Sequence, residues 1–308
     1  MSASTPVAPR EGQTFGGASR LVRYANFVKL PHTVFALPFA LVGAILASYQ
    51  NAVEWSSVGW IVIAFTSARF AAMGFNRVVD REIDARNPRT AMRELPIGAL
   101  GVAEAVGAIL VASAIFFIAA WRLNALCLWL SPVALGWVLW YSYTKRFTRL
   151  AHLVLGLGLG IAPVGGYLAI TGQWSDPWWL LIALATAVMT WVGGFDILYA
   201  LQDYDFDVAH GLHSIPASLG IHRSIQVTRG LHLLTVLALA LAGVASPVGA
   251  MYWIGVTVVA LLLLYEHRLV RSTDLSRLNA AFFTMNGVIS LTFFAFVLAG
   301  RLFERAGP

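Results

Sequence analysis

Two short stretches carry the residues that could do chemistry. In the first, Asn76, Asp80 and Asp84 stand four residues apart, so on a helix they share one face. In the second, Asp203 and Asp207 repeat that spacing, and Asp196 lies two turns upstream on about the same face. Carboxylates held this close repel one another unless a cation lies between them. A hard divalent cation such as Mg2+ answers that need, because it takes few carboxylates and fills its shell with water and phosphate oxygens. Two such clusters point to a site for a pyrophosphate.

The elements that must position these clusters are apolar. Of 308 residues, 58% are hydrophobic and only 12% are charged, and the mean hydropathy is +0.73. A soluble domain carries about 25% charged residues, so this is the composition of a polytopic membrane protein. Nine spans are predicted: 30–49, 58–79, 97–120, 124–143, 150–170, 178–201, 225–244, 249–265 and 278–298. The expected fold is therefore all-α, with about nine transmembrane helices around a central cavity. Residues 1–19 are read as a disordered tail without a signal-peptide core, 20–302 as the transmembrane domain, and 303–308 as a short C-terminal tail.

The net charge of +6 does not imply nucleic acid, because the basic residues lie between apolar runs rather than in one patch. With the N-terminus cytoplasmic, one side receives Arg20, Arg23, Lys29, Arg77, Arg81, Arg86, Arg89, Arg93, Lys145, Arg146, Arg149, Arg223, Arg229, Arg268, Arg271 and Arg277. The other receives little beyond Arg122, Arg301 and Arg305. Spans two and six then both run inward and bring both aspartate clusters to the cytoplasmic face. Each cluster leads into a polar loop containing Pro, a weak internal echo. The single cysteine, Cys127, lies in an apolar run and packs there.

Charges inside spans are costly and mark function. Arg69 lies on the face of Asn76 and has two readings: pairing with an aspartate, or hooking an anionic pyrophosphate or carboxylate. Asp196 either packs against Arg69 or polarises a phenol and accepts its proton. Lys145 and Arg146 sit where a pyrophosphate could be clamped, whereas most other juxtamembrane cations serve topology and lipid headgroups. Of the scattered histidines, His213 follows the second cluster directly; His32, His152 and His210 are read as ordinary interfacial residues. The glycines of span five indicate close helix packing.

The stretches N-R-x-x-D-x-x-x-D at 76–84 and D-x-x-Y-A-x-x-D-x-x-x-D at 196–207 closely resemble the two aspartate-rich motifs of the UbiA superfamily of membrane prenyltransferases. The loop R-T-A-M-R-E-L-P-I-G at 89–98 is similar to that of its 4-hydroxybenzoate branch, and 32–39 and 141–147 look like UbiA-like members. The resemblance implies Mg2+ held by Asn76, Asp80, Asp84, Asp203 and Asp207. It also implies substrate contacts from Arg77, Lys145, Arg146, Tyr199 and His213, with Asp196 and Arg69 as the catalytic pair. The implied reaction moves a polyprenyl group from an allylic polyprenyl diphosphate to an aromatic carboxylate, 4-hydroxybenzoate, in ubiquinone biosynthesis. A dihydroxynaphthoate of a menaquinone route, the acceptor of some UbiA-like members, is the alternative; His213 stands where the 4-hydroxybenzoate enzymes of proteobacteria often carry Lys. The expected setting is a bacterial inner membrane, with membrane lipids as surroundings, no nucleic acid and no protein partner. A secondary transporter is the reading of another class; it would place its charges near mid-bilayer on broken helices.

Overall fold

A computed structural model describes Phe15 and residues 19–29, 31–270 and 284–306 of the chain. Most of the expected N-terminal tail, the cations Arg271 and Arg277, and the side chains of His32 and Arg305 lie outside the described residues. So does the start of the ninth predicted span.

Every described element is helical: α1 (Arg20–Phe27), α2 (Pro31–Ala47), α3 (Trp55–Arg86), α4 (Val102–Leu123), α5 (Ala125–Thr144), α6 (Ala151–Thr171), α7 (Trp179–Ala200), α8 (Tyr204–Ala209), α9 (Ile215–Val244), α10 (Ala250–Leu269) and α11 (Asn286–Ala306). A 3-10 turn, Leu201–Asp203, joins α7 to α8. Among the described residues, eight helices are long and apolar enough to cross a bilayer, and the shorter apolar α2 fills the place of the first predicted span. The protein is an integral membrane protein.

The predicted spans and the helices correspond one to one with shifted ends, and two of the shifts have a local cause. The third span begins at Val102 rather than residue 97, because Asn87–Gly101 folds as a string of turns and Gly98 takes a left-handed φ of 72°. The seventh extends back to Ile215, since α9 is two helical pieces bent at Gly220. Ser214 caps that first piece by accepting from the Ala217 N–H at 3.1 Å.

From α2 onward, consecutive long helices pack side by side, and α11 returns to α2 to close a ring, with α2 also crossing to α6. The central element is α7: 67% of its apolar window is buried, against 17% for α5. Phe39, Tyr167, Trp191, Tyr252 and Phe293 interlock there from α2, α6, α7, α10 and α11. Arg122 stacks on Trp60, and Arg301 stacks on Tyr49 while donating to the Ser48 carbonyl at 2.8 Å. These two cations lie at the helix ends away from the aspartates, so the charge asymmetry read from the sequence is a division between the two ends of the bundle.

Candidate active site

Helix α3 runs unbroken for 32 residues, so its cluster keeps the helical register. Asn76 Nδ2 donates to Asp80 Oδ2 at 3.0 Å. Asp80, 2% exposed, meets Lys145 Nζ at 2.6 Å through Oδ2 and Arg146 Nη2 at 3.5 Å through Oδ1. One turn further on, Arg93 Nη1 donates to both oxygens of Asp84 at 2.8 Å. The loop after α3 makes this possible by doubling back, and Thr90 Oγ1 pins it to the Asp84 carbonyl at 3.0 Å.

The second cluster lies where α7 gives way to the 3-10 turn. Arg89 grips Asp203 through Nε at 2.8 Å and Nη2 at 2.5 Å, and it donates from Nη1 to the Tyr199 hydroxyl at 2.8 Å. Asn87 Nδ2 adds a bond to Asp203 at 2.9 Å. Asn87 and Arg89, which follow the first cluster, thus hold the second. Asp207 is half-buried and is hydrogen-bonded to Ser214. His213 is exposed and is anchored through its backbone N–H to the Lys145 carbonyl at 2.9 Å.

Behind the clusters lies a pocket of about 200 Å³ in which Lys29, Asn76, Arg77, Arg93, Asp196 and Tyr199 are set among apolar walls. It adjoins an apolar cavity of about 210 Å³ between α3, α4, α5 and α6, where Phe65, Phe116 and Leu130 form part of the wall. The two share Arg69, Met73, Tyr141, Leu155 and Leu159. Asp80, Asp84 and Asp203 do not line the pocket; each is engaged by its cations.

The structure departs from the sequence reading at several residues. Arg69 pairs with no carboxylate among the described residues; its Nε donates to Thr33 Oγ1 at 3.2 Å, and it stands where the two cavities meet. Asp196 is not packed on Arg69. It meets His152 Nδ1 at 2.7 Å, so His152 is a residue of the site rather than an ordinary interfacial one. Arg77, expected among the substrate contacts, is 4% exposed and lines the pocket. Arg89, Arg93 and Lys29, which the sequence assigned to topology, belong to the site as well. The R-T-x-x-R loop was the available signal for the two arginines, and nothing in the sequence singled out His152 or Lys29.

Among the described residues, no three His, Cys, Asp or Glu side chains converge as a closed metal-ligand group. The donors nevertheless suit a hard cation. All are carboxylate or amide oxygens, and Asp80 Oδ1 is buried without a hydrogen-bond donor. In this state the cations of the protein itself balance the carboxylate charge.

Known proteins share both the sequence and the fold. The UbiA prenyltransferase family matches residues 36–288. The 4-hydroxybenzoate octaprenyltransferase of Xanthomonas oryzae pv. oryzae is 32% identical over 79% of this chain and 81% of its own length. A solved UbiA homologue from Aeropyrum pernix K1 superposes with a TM-score of 0.77 at 32% identity, covering 89% of this chain and 98% of that one. A UbiA homologue from Archaeoglobus fulgidus, solved with DMAPP and Mg2+, has the same fold, with a TM-score of 0.71 at 18% identity over 91% of this chain and 99% of that one.

Proposed function

The chain belongs to the UbiA prenyltransferase family, and on that premise we propose that it transfers a polyprenyl group from an allylic polyprenyl diphosphate to 4-hydroxybenzoate. One observation carries this reading: a pocket bearing the charged groups Asp196, Arg77 and Arg69, beside two carboxylate clusters, runs directly into an apolar cavity. A diphosphate ester with a hydrocarbon tail matches that order of charged groups and apolar space. Family membership sets the transporter reading aside.

Asn76, Asp80, Asp84, Asp203 and Asp207 would hold Mg2+, which neutralises charge on the departing pyrophosphate. The residues of the protein do the rest. Arg77, Lys145 and Arg146 bind the diphosphate oxygens, where negative charge grows as the allylic C–O bond breaks and its electron pair leaves with pyrophosphate. Arg69 meets an anion at the cavity junction. The apolar walls keep water from the allylic cation until a ring carbon of the acceptor bonds to it. Asp196 accepts the phenol proton, which makes the neighbouring ring carbon more nucleophilic; the ring then restores aromaticity by losing its own proton to the released pyrophosphate, and Asp196 returns the phenol proton to the product oxygen. Tyr199 lies over this pocket. His213, at the rim beside Lys145, adds a contact to the diphosphate.

The relative from Xanthomonas and the R-T-x-x-R loop support 4-hydroxybenzoate, while the likeness of 32–39 and 141–147 to UbiA-like members keeps a dihydroxynaphthoate as the second acceptor. The same reading places the enzyme in a bacterial inner membrane with its aspartates toward the cytoplasm, and assigns 20–302 to the catalytic domain. The test offers a long-chain allylic diphosphate with each acceptor to the protein in membranes, with and without Mg2+. Prenylated 4-hydroxybenzoate formed only with Mg2+ is the expected product. Turnover of the naphthoate alone would move the enzyme to the second acceptor, and turnover of neither would sink the reading.

A further inference from the structure

His152 is 6% exposed and touches two groups of different kinds. Its Nδ1 lies 2.7 Å from Asp196 Oδ2, and the backbone N–H of Ile215 points at its Nε2 at 3.4 Å. A backbone N–H can only donate, so Nε2 must carry a lone pair. A neutral imidazole with a bare Nε2 bears its proton on Nδ1, and that proton lies on the line to Asp196. The tautomer of His152 follows from the geometry.

The helices are built to make this contact. His152, Gly156 and Gly160 fall four residues apart on α6, on the face packed against α7. A Cβ at Gly156 would come within 2.3 Å of the Met189 carbonyl oxygen, and one at Gly160 within 2.7 Å of the Ala185 carbonyl oxygen. Only glycine lets the two backbones approach this closely, and Met189, Gly193 and Asp196 follow one another along the facing surface of α7. The Ile215 end of the arrangement sits at the start of α9, directly after the loop that carries His213.

Resting on the prenyl-transfer reading, we propose that His152 is a positioning residue for Asp196, which it holds through an Nδ1–H donor in one orientation. One carboxylate oxygen is then occupied, and the side chain lines the pocket together with Tyr141 and Arg69. Because His152 is itself fixed by the first turn of α9, the loop after the second cluster and the acceptor pocket are mechanically joined. Asp196 is thereby held in a fixed direction toward the phenol O–H.

Two measurements on the full chain in detergent or nanodiscs test this. Histidine-selective 15N NMR, with the His152 signal assigned by its loss in H152N, reads the tautomer without any turnover. The expected signal has Nδ1 protonated and Nε2 bare; an Nε2–H tautomer or an imidazolium overturns the proposal even if prenyl transfer is confirmed. Kinetics with H152A, H152N, D196N and H152A/D196N then separate positioning from folding. Partners that orient a reacting group are worth about 10- to 100-fold. H152A should therefore lose roughly that factor in kcat, with the KM for prenyl diphosphate and the thermal midpoint held. H152N, whose amide N–H takes the place of Nδ1–H, should recover most of it. The double variant should be no slower than D196N, since the histidine acts only through that carboxylate. Multiplying losses in the double variant, or a fall in diphosphate binding and thermal midpoint that tracks the rate, would reduce His152 to packing. If wild-type protein prenylates no acceptor, the functional reading fails, while the NMR result still decides the tautomer.

Discussion

The two aspartate clusters look alike as sequence and differ as structure. On α3 the helix never breaks, and Asp80 and Asp84 are 2% and 5% exposed. On the other side α7 ends at Ala200, and a 3-10 turn delivers Asp203, whose side chain is 16% exposed, before α8 carries Asp207. A 3-10 turn has three residues per turn instead of 3.6, so the register of α7 is not carried unchanged to Asp203. The first cluster is a rigid, desolvated wall. The second is split along the chain: Asp196 stands two turns up α7 beside His152, and Asp203 and Asp207 follow in the 3-10 turn and α8.

The largest effect should come from removing one carboxylate from each. Asp80 is buried, has one oxygen without a hydrogen-bond donor, and meets two cations; Asp203 is partly solvated and is shared with Asn87. Loss of a preorganised charged group at the centre of charge development costs about 10²- to 10³-fold. D80A should reach the upper end of that range and D203A the lower, in rates measured at saturating Mg2+. Equal losses, or a larger one in D203A, would mean that the burial difference does not matter to the reaction.

A second contrast concerns stability. In R93A the desolvated Asp84 carboxylate loses its bidentate partner, and breaking a buried pair costs about 3–5 kcal/mol. In R89A, Asp203 keeps its bond from Asn87 and some solvent, so the loss should be smaller. Thermal midpoints taken with chelator and then with Mg2+ should show R93A falling further and recovering more as the cation enters. A recovery confined to R89A would reverse the order of the two clusters.

The smallest effect is expected at the rim. His213 is exposed and tied in only by its backbone, so H213A should raise the KM for the diphosphate by about two- to threefold, the scale of a solvated contact. A tenfold change would show that the rim closes over the substrate and that the second cluster is less open than its exposure indicates.

Much of this was legible in the sequence. Helix number and order followed from apolar run length, and the shared end of the two clusters followed from the distribution of Lys and Arg. Asn76, Asp80 and Asp84 could be placed on one face because an unbroken helix preserves its period. The α-helical period ended at the 3-10 turn before Asp203, which no signal marked, and hydropathy failed at residues 97–101, where the chain turns and Leu100 packs on Phe27 and Val28.

What the sequence determined by itself is the set of local quantities: where the chain is apolar enough to span a membrane, which ends carry positive charge, and where carboxylates recur at helical spacing. Which cation each carboxylate meets was decided only in three dimensions. Arg89 reaches Asp203 across 114 positions of sequence, and His152 reaches Asp196 across 44. The reason is physical. Period and hydropathy act between near neighbours on one helix, whereas an ion pair depends on the path of a loop and on how closely glycine lets two helices approach.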